Sequence, residues 1–109
     1  MSRISTHVLD AVLGKPAAGI AVRLDLRASE GWHTVATSVT DADGRVKALT
    51  ESASQGDYRI SFVTAPYFEA QKRSSIYPEI VLTFRCDGAA HFHLPLLLSD
   101  NSYTTYRGS

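Results

Sequence analysis

Ile20-Ala21-Val22-Arg23-Leu24-Asp25-Leu26-Arg27 alternates apolar and polar residues without a break. Successive side chains of an extended strand point to opposite faces. A period of two therefore puts Ile20, Val22, Leu24 and Leu26 on one buried face, with Ala21, Arg23, Asp25 and Arg27 on the other. The stretch is a half-buried strand. Glu30-Gly31 supplies a turn directly after it, and Trp32 to Thr40 continues as a strand with His33, Val35, Thr37 and Val39 sharing a face. The two are expected to pair as a hairpin.

The pattern extends in both directions. Upstream, residues 3–10 are rich in β-branched side chains and place Ile4, Thr6 and Val8 opposite Ser5, His7 and Leu9, before a loop marked by Gly14-Lys15-Pro16 and Gly19. Downstream, Asp41-Ala42-Asp43-Gly44 forms a turn that delivers Arg45 to the start of a short strand over 45–49. Residues 51–56 read as loop, and 57–63 as a strand with Tyr58, Ile60 and Phe62 inward. Thr64-Ala65-Pro66 opens the one helical candidate, about 66–73, where a threonine and an early proline suit a helix start. Strands over 79–85 and 89–98 follow, joined by the Asp87-Gly88 turn. The sum is an all-β fold: a two-sheet β-sandwich of seven to eight strands with one short helix, in a single domain spanning 1–109.

Composition excludes several classes of function. Lysine plus arginine equals aspartate plus glutamate at 11 each, so no net field draws the chain to nucleic acid or to an anionic membrane surface. No apolar run approaches the ~20 residues of a membrane helix. Cys86 is the one cysteine, so it can form neither an internal disulfide nor a multi-thiolate zinc site, and it is expected in or beside a strand as a small apolar group. No apolar signal region follows Met1, and the cytoplasm is the expected compartment.

Chemistry rests on few residues. Four histidines are present, His7, His33, His91 and His93, and imidazole titrates near neutrality without tuning. His33 reads as a surface or core strand residue. His91 and His93 are two apart and share a strand face, a spacing that also suits zinc if His7 converges on them, although no acidic ligand stands nearby. Asp41 to Gly44 has the look of a calcium loop. With Gly44 at the sixth position, however, Val39 and Thr50 fall where the first and last carboxylates belong. There is no Gly-x-Ser-x-Gly and no phosphate-cradling glycine loop. Arg45 and Arg107 could each hold an anion or a polar carbonyl.

The whole chain resembles the 5-hydroxyisourate hydrolases, the transthyretin-related enzymes of urate breakdown. The resemblance is carried by Ile4-Ser5-Thr6-His7-Val8-Leu9-Asp10 with Gly14-Lys15-Pro16-Ala17, by Thr40-Asp41-Ala42-Asp43-Gly44-Arg45, by Gly56-Asp57-Tyr58-Arg59, Tyr67-Phe68 and Tyr77-Pro78-Glu79-Ile80, and most specifically by His91-Phe92-His93-Leu94-Pro95-Leu96-Leu97-Leu98-Ser99 with Tyr106-Arg107-Gly108-Ser109. That last tetrapeptide separates the hydrolases from transthyretin, the hormone carrier of the same fold. The resemblance implies a transthyretin-like (prealbumin-like) sandwich that opens a ring amide of 5-hydroxyisourate with water. It implies His7, Arg45, His93 and Ser109 as catalytic groups, Tyr106, Arg107 and Gly108 as substrate-binding groups, no metal or cofactor, and a homotetramer built as a dimer of dimers. Where the family has Pro-Tyr-Gly-Tyr or a near variant after Ser99, this chain has Asp100-Asn101-Ser102-Tyr103. A carrier of the transthyretin type and a zinc hydrolase using His7, His91 and His93 are the alternative readings.

Overall fold

In the computed structural model, which describes residues 1–109, the alternating segments become strands β1 (Ser2–Asp10), β3 (Ala21–Ala28), β4 (Gly31–Val39), β5 (Arg45–Ala53), β6 (Gly56–Val63), β7 (Glu79–Cys86) and β8 (His91–Leu98). Two short ladders complete the set, β2 (Lys15–Pro16) and β9 (Tyr103–Thr105), so the count of strands is nine and not seven or eight. Both additions are brief pairings at the ends of longer strands, β2 with β1 and β9 with β8. The single helix α1 covers Ala65–Ala70.

β4-β3-β6-β7 make one antiparallel sheet, with the expected β3/β4 hairpin. The other sheet runs β2-β1-β8-β9, with β5 also paired to β1. β1 and β8 are parallel, and Ile4, Ser5 and His7 lie beside Phe92, His93 and Pro95. The sheets close on a core that takes Ile4 and Val8 from β1, Phe92, Leu96 and Leu98 from β8, Leu24 from β3, and Tyr58, Ile60 and Phe62 from β6. Each fully buried large apolar side chain contributes roughly 1.5–3 kcal/mol. The faces of the sheets are thereby fixed, because a slip of one residue would turn every such side chain to water.

Three local expectations change. β5 runs on to Ala53, through residues read as loop, because two register shifts against β1 break its alternation. The helix is shorter than 66–73: Lys72 takes a left-handed φ of 56°. Thr64 does not cap it through its side chain, since its hydroxyl donates to the Tyr77 carbonyl at 2.7 Å and ties the helix entry to the approach of β7. Cys86 is buried at the end of β7, as a small apolar group would be.

One turn matters for the site. The Asp41 carboxylate accepts the backbone N–H groups of Asp43 and Arg45, each at 2.9 Å, closing 41–45 on itself. Gly44 has φ 75° and its carbonyl accepts the Val8 N–H at 2.7 Å, while a β-carbon there would collide with the Val8 carbonyl. Only glycine fits that approach. The turn consequently lands Arg45 in register with His7.

Candidate active site

The alternation that buries Ile4 and Val8 sends Arg3, Ser5 and His7 to the outer face of the sheet, and the parallel register sets Arg3 beside His91 and Ser5 beside His93. β5 supplies Arg45 and Lys47 from the other side of β1, where they line the same cleft. The residues after β9 return to this face, and the Gly108 N–H donates to the His93 carbonyl at 2.7 Å. These elements enclose a cleft of about 440 Å³ whose wall includes Arg45, His93 and Ser109. Its size suits a small heterocycle. Arg3, Arg45 and Lys47 bring three cationic side chains to it against one carboxylate side chain, Asp43. An anionic, polar occupant is favoured.

Within the cleft His91 and His93 are coupled. Ser5 Oγ lies 2.8 Å from His91 Nε2 and 2.7 Å from His93 Nδ1, and the two ring centroids are 6.0 Å apart. His93 Nε2 has no hydrogen-bond partner in the chain. Burial, followed by the charges on His91, His7, Arg45 and Arg3, pulls its pKa below the ordinary histidine value of 6.5. It is therefore a neutral imidazole at neutral pH. Gly108 sits so close that an added β-carbon would stand 2.6 Å from His93 Cδ2, so the glycine lets the last residues press against the ring.

His7 is not among the residues that line the cleft; it lies two residues along β1 from Ser5, in register with Arg45 and Pro95. Its Nε2 is 2.8 Å from the Asp43 carbonyl oxygen. A carbonyl can only accept, so Nε2 carries the proton and the lone pair of the neutral ring is on Nδ1. The remaining expected residues divide. Arg45, His93 and Ser109 share the cleft, and Gly108 backs His93. Tyr106 is exposed outside the cleft wall, and Arg107 is held away from it, its guanidinium 4.1 Å from the Phe92 ring centroid and donating to the His91 carbonyl at 3.4 Å. Their places in one chain do not bring them to the cleft. His33 lies exposed on β4, in the other sheet.

Sequence reasoning missed Ser5, Arg3 and Lys47. The signal was available for Ser5, two residues from His7 on the same strand face. No three histidine, cysteine, aspartate or glutamate side chains stand close enough to hold a metal ion, because His7 is turned to Asp43 while His91 and His93 are turned to Ser5.

The HIUase/Transthyretin family model matches residues 4–108. The chain belongs to the HIUase/transthyretin family. A 5-hydroxyisourate hydrolase of Salmonella dublin is 46% identical over 109 residues, covering 97% of this chain and 80% of the relative. The structure of Klebsiella pneumoniae 5-hydroxyisourate hydrolase superposes with a TM-score of 0.90 at 35% identity, over 100% of both chains. Transthyretin from Sparus aurata superposes as well, with a TM-score of 0.91 at 33% identity, over 99% of this chain and 97% of its own. Backbone shape thus does not divide the HIUase/transthyretin family by activity. Side chains in the cleft must do so. No helix of this family member is long and apolar enough to cross a membrane.

Proposed function

We propose that this chain is a metal-free hydrolase of 5-hydroxyisourate, giving 2-oxo-4-hydroxy-4-carboxy-5-ureidoimidazoline in urate degradation. The observation that carries the reading is that a neutral imidazole with an open Nε2, His93, shares the wall of one cationic cleft with Arg45 and Ser109. Opening a ring amide needs a water oxygen to bond to the carbonyl carbon, the C–N bond to break, and the departing nitrogen to receive a proton. A neutral imidazole can take the water's proton and later return it, and His7 and His93 are the two imidazoles assigned to that traffic. Arg45 holds the substrate oxygens and stabilises the oxyanion with its planar fork of donors. Ser109 closes the cleft at its rim, with Gly108 beneath it, and Tyr106 and Arg107 complete substrate binding where another subunit meets this face.

The test follows the ultraviolet decay of freshly generated 5-hydroxyisourate with and without the protein, once in buffer and once with a strong chelator. Acceleration in both is expected. Acceleration lost to the chelator would establish a metal-dependent hydrolase instead, and none in either would leave a carrier.

A homotetramer, a dimer of dimers, goes with this reading. The cleft lies on the outer face of the β1/β8 sheet, where a second dimer would wall it in. Sedimentation should return four times the chain mass, and a monomer at assay concentration would sink the assembly. Cytoplasmic residence also belongs to the reading, and recovery of the protein from the extracellular fraction would refute it.

A further inference from the structure

We infer that Ser5 and His91 are positioning residues that hold His93 with its proton on Nδ1 and its Nε2 bare toward the cleft; the inference deepens the hydrolase reading and rests on it. Ser5 Oγ is within hydrogen-bond distance of two ring nitrogens, His91 Nε2 and His93 Nδ1. A hydroxyl has one proton to give. When both rings are neutral, one of those nitrogens must therefore accept from Ser5 and the other must donate to it. The tautomers of the two rings are locked together by a single residue, which is only 5% exposed and has little access to water as an alternative partner.

Two arrangements satisfy the pair. In the first, His93 Nδ1–H donates to Ser5, whose hydroxyl donates to His91 Nε2, and the His93 lone pair faces the cleft. In the second every proton is reversed, and His93 presents Nε2–H. The cleft decides between them. Arg45, Lys47 and Arg3 all stand in its wall, and a lone pair turned toward cations is favoured over an N–H dipole turned toward them. Asp43 is the one carboxylate side chain there.

The arrangement also gives the accepted proton a route. As His93 Nε2 takes a proton from water, the Nδ1 proton passes to Ser5 Oγ while the Ser5 proton passes to His91 Nε2. His93 ends neutral with Nε2–H, and the positive charge is on His91. The reverse movement returns the proton through His93 Nε2 to the departing nitrogen. Every proton is accounted for, and no further reactant is needed. Holding an imidazole in the wrong tautomer costs a serine-protease triad about 10⁴ in kcat, which sets the upper end of the expected effect.

The experiment combines nitrogen-15 spectroscopy of histidine-labelled protein with kinetics of Ser5→Ala, Ser5→Thr and His91→Phe. In the unaltered protein His93 should show a protonated Nδ1 and an unprotonated Nε2. Ser5→Ala and His91→Phe should lower kcat by about a hundredfold with KM within threefold, and should abolish the fixed tautomer. Ser5→Thr, which keeps the hydroxyl, should restore most of both. A protonated Nε2 on His93 in the unaltered protein would overturn the inference, as would a Ser5→Ala protein that keeps kcat within threefold. The spectrum alone decides should Ser5→Ala fail to fold. Absence of turnover in the unaltered protein would sink the hydrolase reading, and the tautomer measurement would still judge this one.

Discussion

His93→Ala lowers kcat by two to four orders of magnitude and moves the melting temperature by only a few degrees. The size follows from the work assigned to the ring, since positioned proton transfer contributes about 10²–10⁴ in rate. The small cost in stability follows from its place: the ring is half-buried on the outer face of the sheet, with its core-facing neighbours Phe92 and Leu94 left untouched. Surface-side substitutions of that kind usually cost well under what a core cavity costs. His7→Ala should behave alike, with one difference. Its ring secures the Asp43 carbonyl, so some loss will come from loosening the turn that carries Arg45. Turnover should also fall on the acid side as His93 charges. Its pKa is depressed, so that fall lies below 6.5, the ordinary histidine value. The depressed pKa means that charging opposes folding, so His93 costs no stability above 6.5 and destabilises the fold progressively as pH falls below it toward the folded-state pKa. Steady-state kinetics across pH, with thermal melts of each variant, make the check; a His93→Ala protein with turnover within tenfold of the unaltered chain would remove His93 from the mechanism.

How much of this was legible beforehand depends on range. Period-two alternation gave the inward faces of β1, β3 and β6 correctly, because each residue's face is set by its immediate neighbours. β5 resisted the same reading. Its buried residues are Val46, Leu49 and Ala53, spaced by three and four as on a helix, because two register shifts against β1 insert extra residues. The helix boundary failed for a similar reason, since Thr64 spends its hydroxyl on Tyr77, a residue 13 positions away.

The site shows the same division. His91 and His93 could be placed on one strand face from spacing alone. That Ser5 lies between them requires the parallel β1/β8 pairing, which joins residues 86 and 88 positions apart. That His7 is turned to the Asp43 carbonyl requires the β1/β5 register. Tyr106 was legible only through family resemblance and Arg107 also as a lone arginine able to hold an anion, and a single chain leaves both outside the cleft.

Asp10→Ala is expected to cost about 3–5 kcal/mol, the usual penalty for removing one partner of a buried ion pair. Asp10 is 1% exposed at the end of β1. Its carboxylate accepts from the Val12 and Leu13 backbone at 3.1 and 3.0 Å, from the Tyr67 hydroxyl at 2.7 Å, and from Arg73 at 2.6 Å. Arg73 in turn donates to Asp100 at 2.5 Å and lies over the Phe68 ring, its guanidinium carbon 4.9 Å from the centroid. One carboxylate thus fastens β1, the following loop, α1 and the β8–β9 turn. Asp100 and Asn101 supply two of the fastenings, since Asn101 also accepts the Ile76 N–H at 3.0 Å.

Burial alone would raise the Asp10 pKa, but the Arg73, Leu13 and Tyr67 hydrogen bonds outweigh it and bring it from 3.8 to about 2. A carboxylate depressed in this way stabilises fully above its unfolded pKa and loses that contribution as pH falls through the folded one. The interval is worth roughly 2–3 kcal/mol. Urea unfolding of the unaltered chain should therefore weaken between pH 4 and pH 2, and Asp10→Asn should flatten that part of the profile while keeping the shape of the side chain. Asp100 gives the contrast. Its side chain is 35% exposed, so solvent screens its pair with Arg73, and Asp100→Ala should cost under about 1 kcal/mol. Equal costs for the two substitutions would show that Arg73, and not the buried carboxylate, is the centre of the network.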